Sequence, residues 1–230
     1  MKRVYSKKKN VNVKVKKKER SKLYIFFYAV IKRLFDLVIS LIGFVFLIPI
    51  ALVIKIIYMF DGDFTSIIYT QDRIGKNGKI FKLYKFRSMI TNADKVLEKL
   101  LKENKELAQE YKINKKLSKD PRITRVGNFI RRFSIDETAQ FINVLIGNMS
   151  VIGNRPYLPK EKEDMGERYK TIVKTKPGIT GYWQVSGRND TTFLKRTELE
   201  EYYSLNASLG LDIKIFFKTF GAVLGHRGAK

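Results

Sequence analysis

The chain has no cysteine among its 230 residues. That excludes disulfides and thiolate metal sites, and it suits a protein whose soluble parts stay in the cytosol. It has a single histidine, His226, in a Gly-rich tail. A histidine-based triad and a multi-histidine metal site are therefore excluded, so any general acid, base or nucleophile must come from carboxylates, Lys, Tyr, Ser or Thr. Acidic residues are also scarce, with 22 Asp and Glu against 46 Lys and Arg and a formal net charge of +24. Such a balance calls for a polyanionic partner: nucleic acid, anionic lipid or a phosphorylated substrate. The length suits one sizeable domain rather than two.

What is present divides the chain into three parts. Residues 1–30 form a basic arm, densest in lysine from Lys7 to Lys18. With so little apolar surface to bury, it is expected to be disordered, either a solvated tail or an arm drawn to anionic membrane lipids. Residues 31–60 contain an uncharged run, Leu37 to Ile54. At about 1.5 Å per residue, that run is just long enough to cross a hydrocarbon core of roughly 30 Å. Pro49 inside it removes a backbone donor, which predicts a bend near Ile48. Both flanks are rich in Lys and Arg, so both ends read as cytoplasmic. A kinked helix that dips into one leaflet and returns fits this pattern; an ordinary span or a buried core helix is the alternative.

Residues 61–225 form the third part. Ile67 to Tyr69 and Phe81 to Phe86 predict a small hairpin around Gly75-Lys76-Asn77-Gly78. Residues 91–117 alternate Lys and Glu around leucines and predict one surface helix. Lys176 to Gly181 reads as a turn. From Leu209 to Phe220 an apolar run is interrupted by Lys214 and Lys218, either a helix lying in the headgroup plane or a core helix.

The chemistry is concentrated between residues 118 and 156. Asp136 and Glu137 sit among Arg122, Arg125, Arg131, Arg132 and Arg155. Ser134 and Glu137 fit a capping box at the start of an amphipathic helix, and on that reading the acids merely favour the helix dipole. The arginines favour another account, in which a phosphate binds and a carboxylate either holds a divalent metal or attacks phosphorus. Magnesium is the ion expected of an all-oxygen site completed by substrate phosphates.

Five motifs in order carry a resemblance: Lys85-Phe86-Arg87-Ser88-Met89, Asp120-Pro121-Arg122-Ile123-Thr124-Arg125-Val126-Gly127, Ser134-Ile135-Asp136-Glu137, Gly153-Asn154-Arg155-Pro156 and Lys176-Pro177-Gly178-Ile179-Thr180-Gly181. Together they resemble the bacterial sugar transferases in their small monotopic form, the phosphoglycosyl transferases that start polysaccharide or glycan assembly. The resemblance covers roughly residues 30–225.

It implies an α+β, mostly helical protein at the cytosolic face of the bacterial cytoplasmic membrane, with one re-entrant helix bent at Ile48 and Pro49, amphipathic surface helices and a small hairpin. It also implies a reaction. Asp136 would attack the β-phosphate of a UDP-sugar and release UMP, and polyprenol phosphate would then take the sugar phosphate. Glu137 would bind Mg2+, and Lys85, Arg87, Arg131, Arg155, Pro156, Gln184 and Arg188 would contact phosphate or nucleotide. No nucleic-acid partner is expected; a basic nucleic-acid binder or a non-catalytic membrane scaffold is the rival reading. Three departures stand out. Thr138-Ala139-Gln140 replaces the family's Leu-Pro-Gln, Asn154 stands where the family has Pro, and Ile48 stands where it has Ser before the bend. The first two put loop rigidity, not chemistry, in question.

Overall fold

The structure is a computed structural model that describes residues 20–114, 117–186 and 191–224. The lysine-rich stretch of the expected arm, His226 and Arg188 lie outside the described residues. The molecule is mostly helical. It begins with α1 (Lys22–Phe60), an apolar helix of 39 residues that Ser21 starts by accepting a hydrogen bond from the amide of Tyr24 at 3.2 Å. Residues 22–30, expected in the arm, are thus its first turns. The helix continues through Pro49.

One face of α1 is buried along its length. Asp36, Ser40, Leu47, Ile54 and Tyr58 recur at helical spacing, and Gly43 falls on the same stripe, where a Cβ would lie 2.5 Å from the ring of Phe141. The opposite face keeps Leu34, Leu41, Val45, Phe46, Ile48 and Leu52 exposed. Polar bonds fix both ends to the same body. At the first end Tyr28 and Lys32 donate to Asp212 at 2.9 and 2.7 Å, and Asp36 accepts from Ser150 and from the amide of Val151. At the other end the Tyr58 hydroxyl donates to the carbonyl of Arg87 at 2.6 Å.

The expected hairpin is present as β1 (Ile68–Ile74) antiparallel to β2 (Ile80–Phe86). Its turn needs Asn77 and Gly78 at positive φ, a conformation that Gly and Asn tolerate best. The single helix expected over 91–117 is two, α2 (Ala93–Glu103) and α3 (Lys105–Asn114). Asn104 separates them. Its backbone is extended, and its side chain accepts from the amides of Glu106 and Leu107, so it caps the second helix instead of continuing the first.

Helix α4 (Arg125–Arg132) leads into a single 3-10 turn, Ile135–Glu137, and then α5 (Gln140–Ile146). Further on come β3 (Ser150–Ile152), α6 (Lys162–Met165), α7 (Tyr169–Ile172), β4 (Gly178–Thr180), α8 (Tyr182–Ser186), α9 (Phe193–Asn206) and α10 (Leu209–Leu224). The stretch read as a turn at 176–181 contains β4, which pairs in parallel with β3. That second sheet escapes a pattern search because three-residue strands are too short to show alternation. The terminal apolar run is a helix with Ile215 buried in the core and Ile213, Phe217 and Phe220 exposed.

Candidate active site

The site grows from the free edge of β2. Asn143 on α5 donates to the carbonyl of Lys82 at 2.7 Å and accepts from the amide of Tyr84 at 2.9 Å. A buried side-chain amide thus satisfies an edge that would otherwise be left unpaired. This fixes α5 and the turn before it against β2, and Lys85 follows directly.

The capping box expected at Ser134 does not form. Ser134 is left-handed, with φ 56, and its side chain makes no cap bond. The acids therefore sit on a 3-10 turn instead of the first turn of an α-helix. Lys85 Nζ lies 3.1 Å from Glu137 Oε1 and 3.9 Å from Asp136 Oδ2, joining both carboxylates. Asp136 is the more enclosed of the two. Burial pushes its carboxyl above the usual range; the charge of Lys85 is the main opposing influence, Glu137 adds to the rise and Arg131 opposes it.

Beside the pair lies a small cleft lined by Lys85, Glu137, Arg155, Pro156 and Gln184 among others. Five expected residues thus meet at one place, four of them from three separate motifs and Gln184 from outside the motifs. Arg131 is exposed at the end of α4 and acts on Asp136 through its charge. Arg87 is placed otherwise. Its guanidinium pairs with Asp63 at 2.8 Å, donates to the carbonyl of Ser66 and stacks 4.4 Å from the ring centre of Tyr58. It holds the end of α1 against the hairpin and does not line the cleft. Ile48 and Pro49 lie on the exposed face of α1.

Sequence reasoning missed Arg73 and Gln140, which also line the cleft. Arg73 donates to the carbonyl of Pro156 at 2.8 Å. Burial first, and then the charge of Arg155, bring its guanidinium down to about 10, which leaves it cationic at neutral pH. The signal available was weak: Arg73 interrupts a strand that reads as polar after Tyr69. Arg155 is half-buried, its amide donates to Glu200 at 2.9 Å, and its guanidinium lies 5.9 Å from the ring of Trp183.

Among the described residues no group of three or more His, Cys, Asp or Glu side chains could hold a metal ion. The side chains lining the cleft that carry an oxygen donor are those of Glu137, Gln140 and Gln184, with Asp136 behind them. Two adjacent carboxylates fit magnesium only when phosphate oxygens complete its shell.

An adjacent acid pair bridged by a lysine thus lies beside a cleft carrying Arg73 and Arg155, a charge arrangement suited to phosphate, in a mostly helical protein with a long apolar helix. A family model described as bacterial sugar transferase matches residues 27–226. The chain is 39% identical over 198 residues to the exopolysaccharide production protein ExoY of Sinorhizobium fredii, covering 86% of this chain and 87% of that protein. It is 42% identical to the undecaprenyl-phosphate galactose phosphotransferase of Salmonella typhimurium, over 86% of this chain and 41% of that protein. It is 41% identical to the UDP-glucose:undecaprenyl-phosphate glucose-1-phosphate transferase of Escherichia coli, over 66% and 32%. The chain thus spans most of the first relative and less than half of the other two. It belongs to the bacterial sugar transferase family.

Proposed function

We propose that this protein transfers a sugar 1-phosphate from a UDP-sugar to polyprenol phosphate, as the names of the Salmonella and Escherichia relatives describe for those proteins. The observation that carries the reading is Lys85 joining Asp136 and Glu137 beside the Arg155 cleft. In the first step an Asp136 carboxylate oxygen attacks the β-phosphorus, the bond from that phosphorus to the bridging oxygen breaks, and UMP leaves with the electron pair. In the second, an oxygen of polyprenol phosphate attacks the same phosphorus and displaces the carboxylate, giving a polyprenol diphosphate sugar. Splitting the exchange lets a water-soluble donor and a lipid acceptor use one phosphate site in turn.

Lys85 keeps Asp136 ionised for attack, and Arg155 with Arg73 offsets charge on the phosphate oxygens. Glu137, with Gln140, would hold a magnesium ion, which supplies Lewis-acid stabilisation of the departing phosphate. The anchor is α1, re-entrant and with both ends at the cytosolic face. Supporting this are the polar bonds from both of its ends to one body and its apolar outer face.

The test is intact-protein mass measurement after incubation with UDP-galactose or UDP-glucose and Mg2+, without acceptor. The expected result is a sugar-phosphate adduct that Asp136→Asn lacks and that polyprenol phosphate discharges. Full turnover by Asp136→Asn would overturn the nucleophile assignment.

A further inference from the structure

The residue that stands in place of the family's proline makes bonds a proline cannot. Asn154 is almost fully buried. Its amide nitrogen lies 2.6 Å from Ser204 Oγ, 3.1 Å from Thr175 Oγ1 and 3.2 Å from the carbonyl of Ile172. Ser204 and Glu200 stand one turn apart on α9, on the same face. Glu200 is fully buried and accepts from the amide of the next residue, Arg155. One helix therefore grips two consecutive residues, 154 through its side chain and 155 through its backbone.

The strand register holds the same segment from the other side. The amide of Gly178 donates to the carbonyl of Asn154 at 2.7 Å, and that of Gly153 donates to Thr180 at 2.8 Å. The packing is close enough that a Cβ at Gly153 would lie 2.4 Å from the carbonyl oxygen of Lys176. These bonds fix the backbone from which Arg155 reaches the cleft. Its Nε is buried and makes no hydrogen bond, so its place is set largely by that backbone and by the Trp183 ring, which Arg196 covers at 4.4 Å.

We infer that Asn154, held by Ser204, and Glu200 are positioning residues for Arg155, a polar clamp on the backbone that carries it. The inference rests on the proposed phosphate role of Arg155. A misplacement of about 1 Å costs on the order of 100-fold in rate, so loosening the clamp should reduce turnover without unfolding the chain.

The experiment is steady-state UMP release by the full chain in detergent, with whichever of UDP-galactose and UDP-glucose it turns over, alongside thermal unfolding. Asn154→Ala is expected to lower kcat/KM about tenfold or more, and Asn154→Pro to recover most of it. Ser204→Ala removes the 2.6 Å bond together with the hydroxyl's longer contacts to Thr175 at 3.3 Å and to the carbonyl of Ile172 at 3.4 Å, leaves the Asn154 side chain its other two partners, and should give a smaller loss in the same direction, which keeps the test open if Asn154→Ala folds poorly. Glu200→Gln keeps an acceptor for the Arg155 amide and should retain more activity than Glu200→Leu. In an Arg155→Ala background, Asn154→Ala should cause no further loss. Equal losses in both backgrounds, or undiminished kcat/KM in both Asn154→Ala and Ser204→Ala while Arg155→Ala is impaired, would overturn the clamp alone. Unimpaired turnover by Arg155→Ala would overturn the phosphate role and the clamp together.

Discussion

Lys85 is the residue on which the proposed chemistry turns, because its ammonium group lies beside two carboxylates that would otherwise repel each other, 3.9 Å from Asp136 and 3.1 Å from Glu137. Replacing it with Met removes the main influence that lowers the Asp136 carboxyl and leaves burial and Glu137 to raise it. The acid limb of kcat/KM against pH should move upward, the direction expected when an opposite charge is lost from beside a carboxylate; an unmoved limb would remove Lys85 from that role. Glu200 makes a second prediction, about stability. Burial raises its carboxyl from 4.5 to about 7 against the weaker pull of Arg155 and Arg196. The folded state therefore holds a proton that the unfolded chain has released, and stability falls as pH rises across that window, by about 3 kcal/mol at most. Glu200→Gln should flatten that ramp in thermal unfolding followed from pH 5 to pH 8. The acid pair, Lys85, Arg155 and Pro156 were legible because each belongs to a motif, whereas Gln184 lies outside the five motifs and came only with the resemblance. Arg87 was legible as a residue and misplaced as a contact, since nothing in a linear motif says that Asp63 and Tyr58 wait beside it.

At the scale of elements, the site depends on how α4 is set against the strand that carries Lys85. Thr124 caps α4 by accepting from the amide of Gly127 at 2.9 Å, and the carbonyl of Ser88 accepts from the amide of Thr124. A Cβ on Gly127 would lie 1.9 Å from that same carbonyl oxygen, so only glycine permits the approach. Gly127→Ala must push α4 away and carry the turn bearing Asp136 with it. The expected cost is about 1 to 3 kcal/mol in unfolding, with UMP release falling on the order of 100-fold; wild-type values in both measurements would show that α4 does not set the acid pair. The elements themselves were unevenly legible. The hairpin showed through its aromatic and β-branched runs and its Gly75-Lys76-Asn77-Gly78 turn. The break at Asn104 did not, because the Lys and Glu pattern continues across it, and the β3 and β4 pairing joins segments about 28 residues apart in sequence that no local period connects.

For the whole molecule, the proposed re-entrant anchor requires a strongly basic body and a long apolar helix to share one membrane surface. Helix α1 has 39 residues, so at about 1.5 Å per residue it extends roughly 58 Å if straight, nearly twice a hydrocarbon core of roughly 30 Å. A perpendicular span would place its ends in opposite compartments. That arrangement would break either the bonds of Lys32 and Asp36 to Asp212, Ser150 and Val151, or that of Tyr58 to the Arg87 carbonyl, because every partner belongs to one body. Buried polar groups left without partners cost about 1 to 3 kcal/mol each, which favours keeping both ends on the body's side while the apolar outer face meets lipid. The absence of native cysteine makes this testable with single cysteines at Lys22 and Asp61, both exposed. Asp61 is the better second site than Gly62, whose φ of 73 would strain a side chain. A membrane-impermeant maleimide applied to inverted vesicles should label both positions, and applied to intact spheroplasts should label neither. Labelling of the two from opposite sides would establish a span and overturn the re-entrant helix.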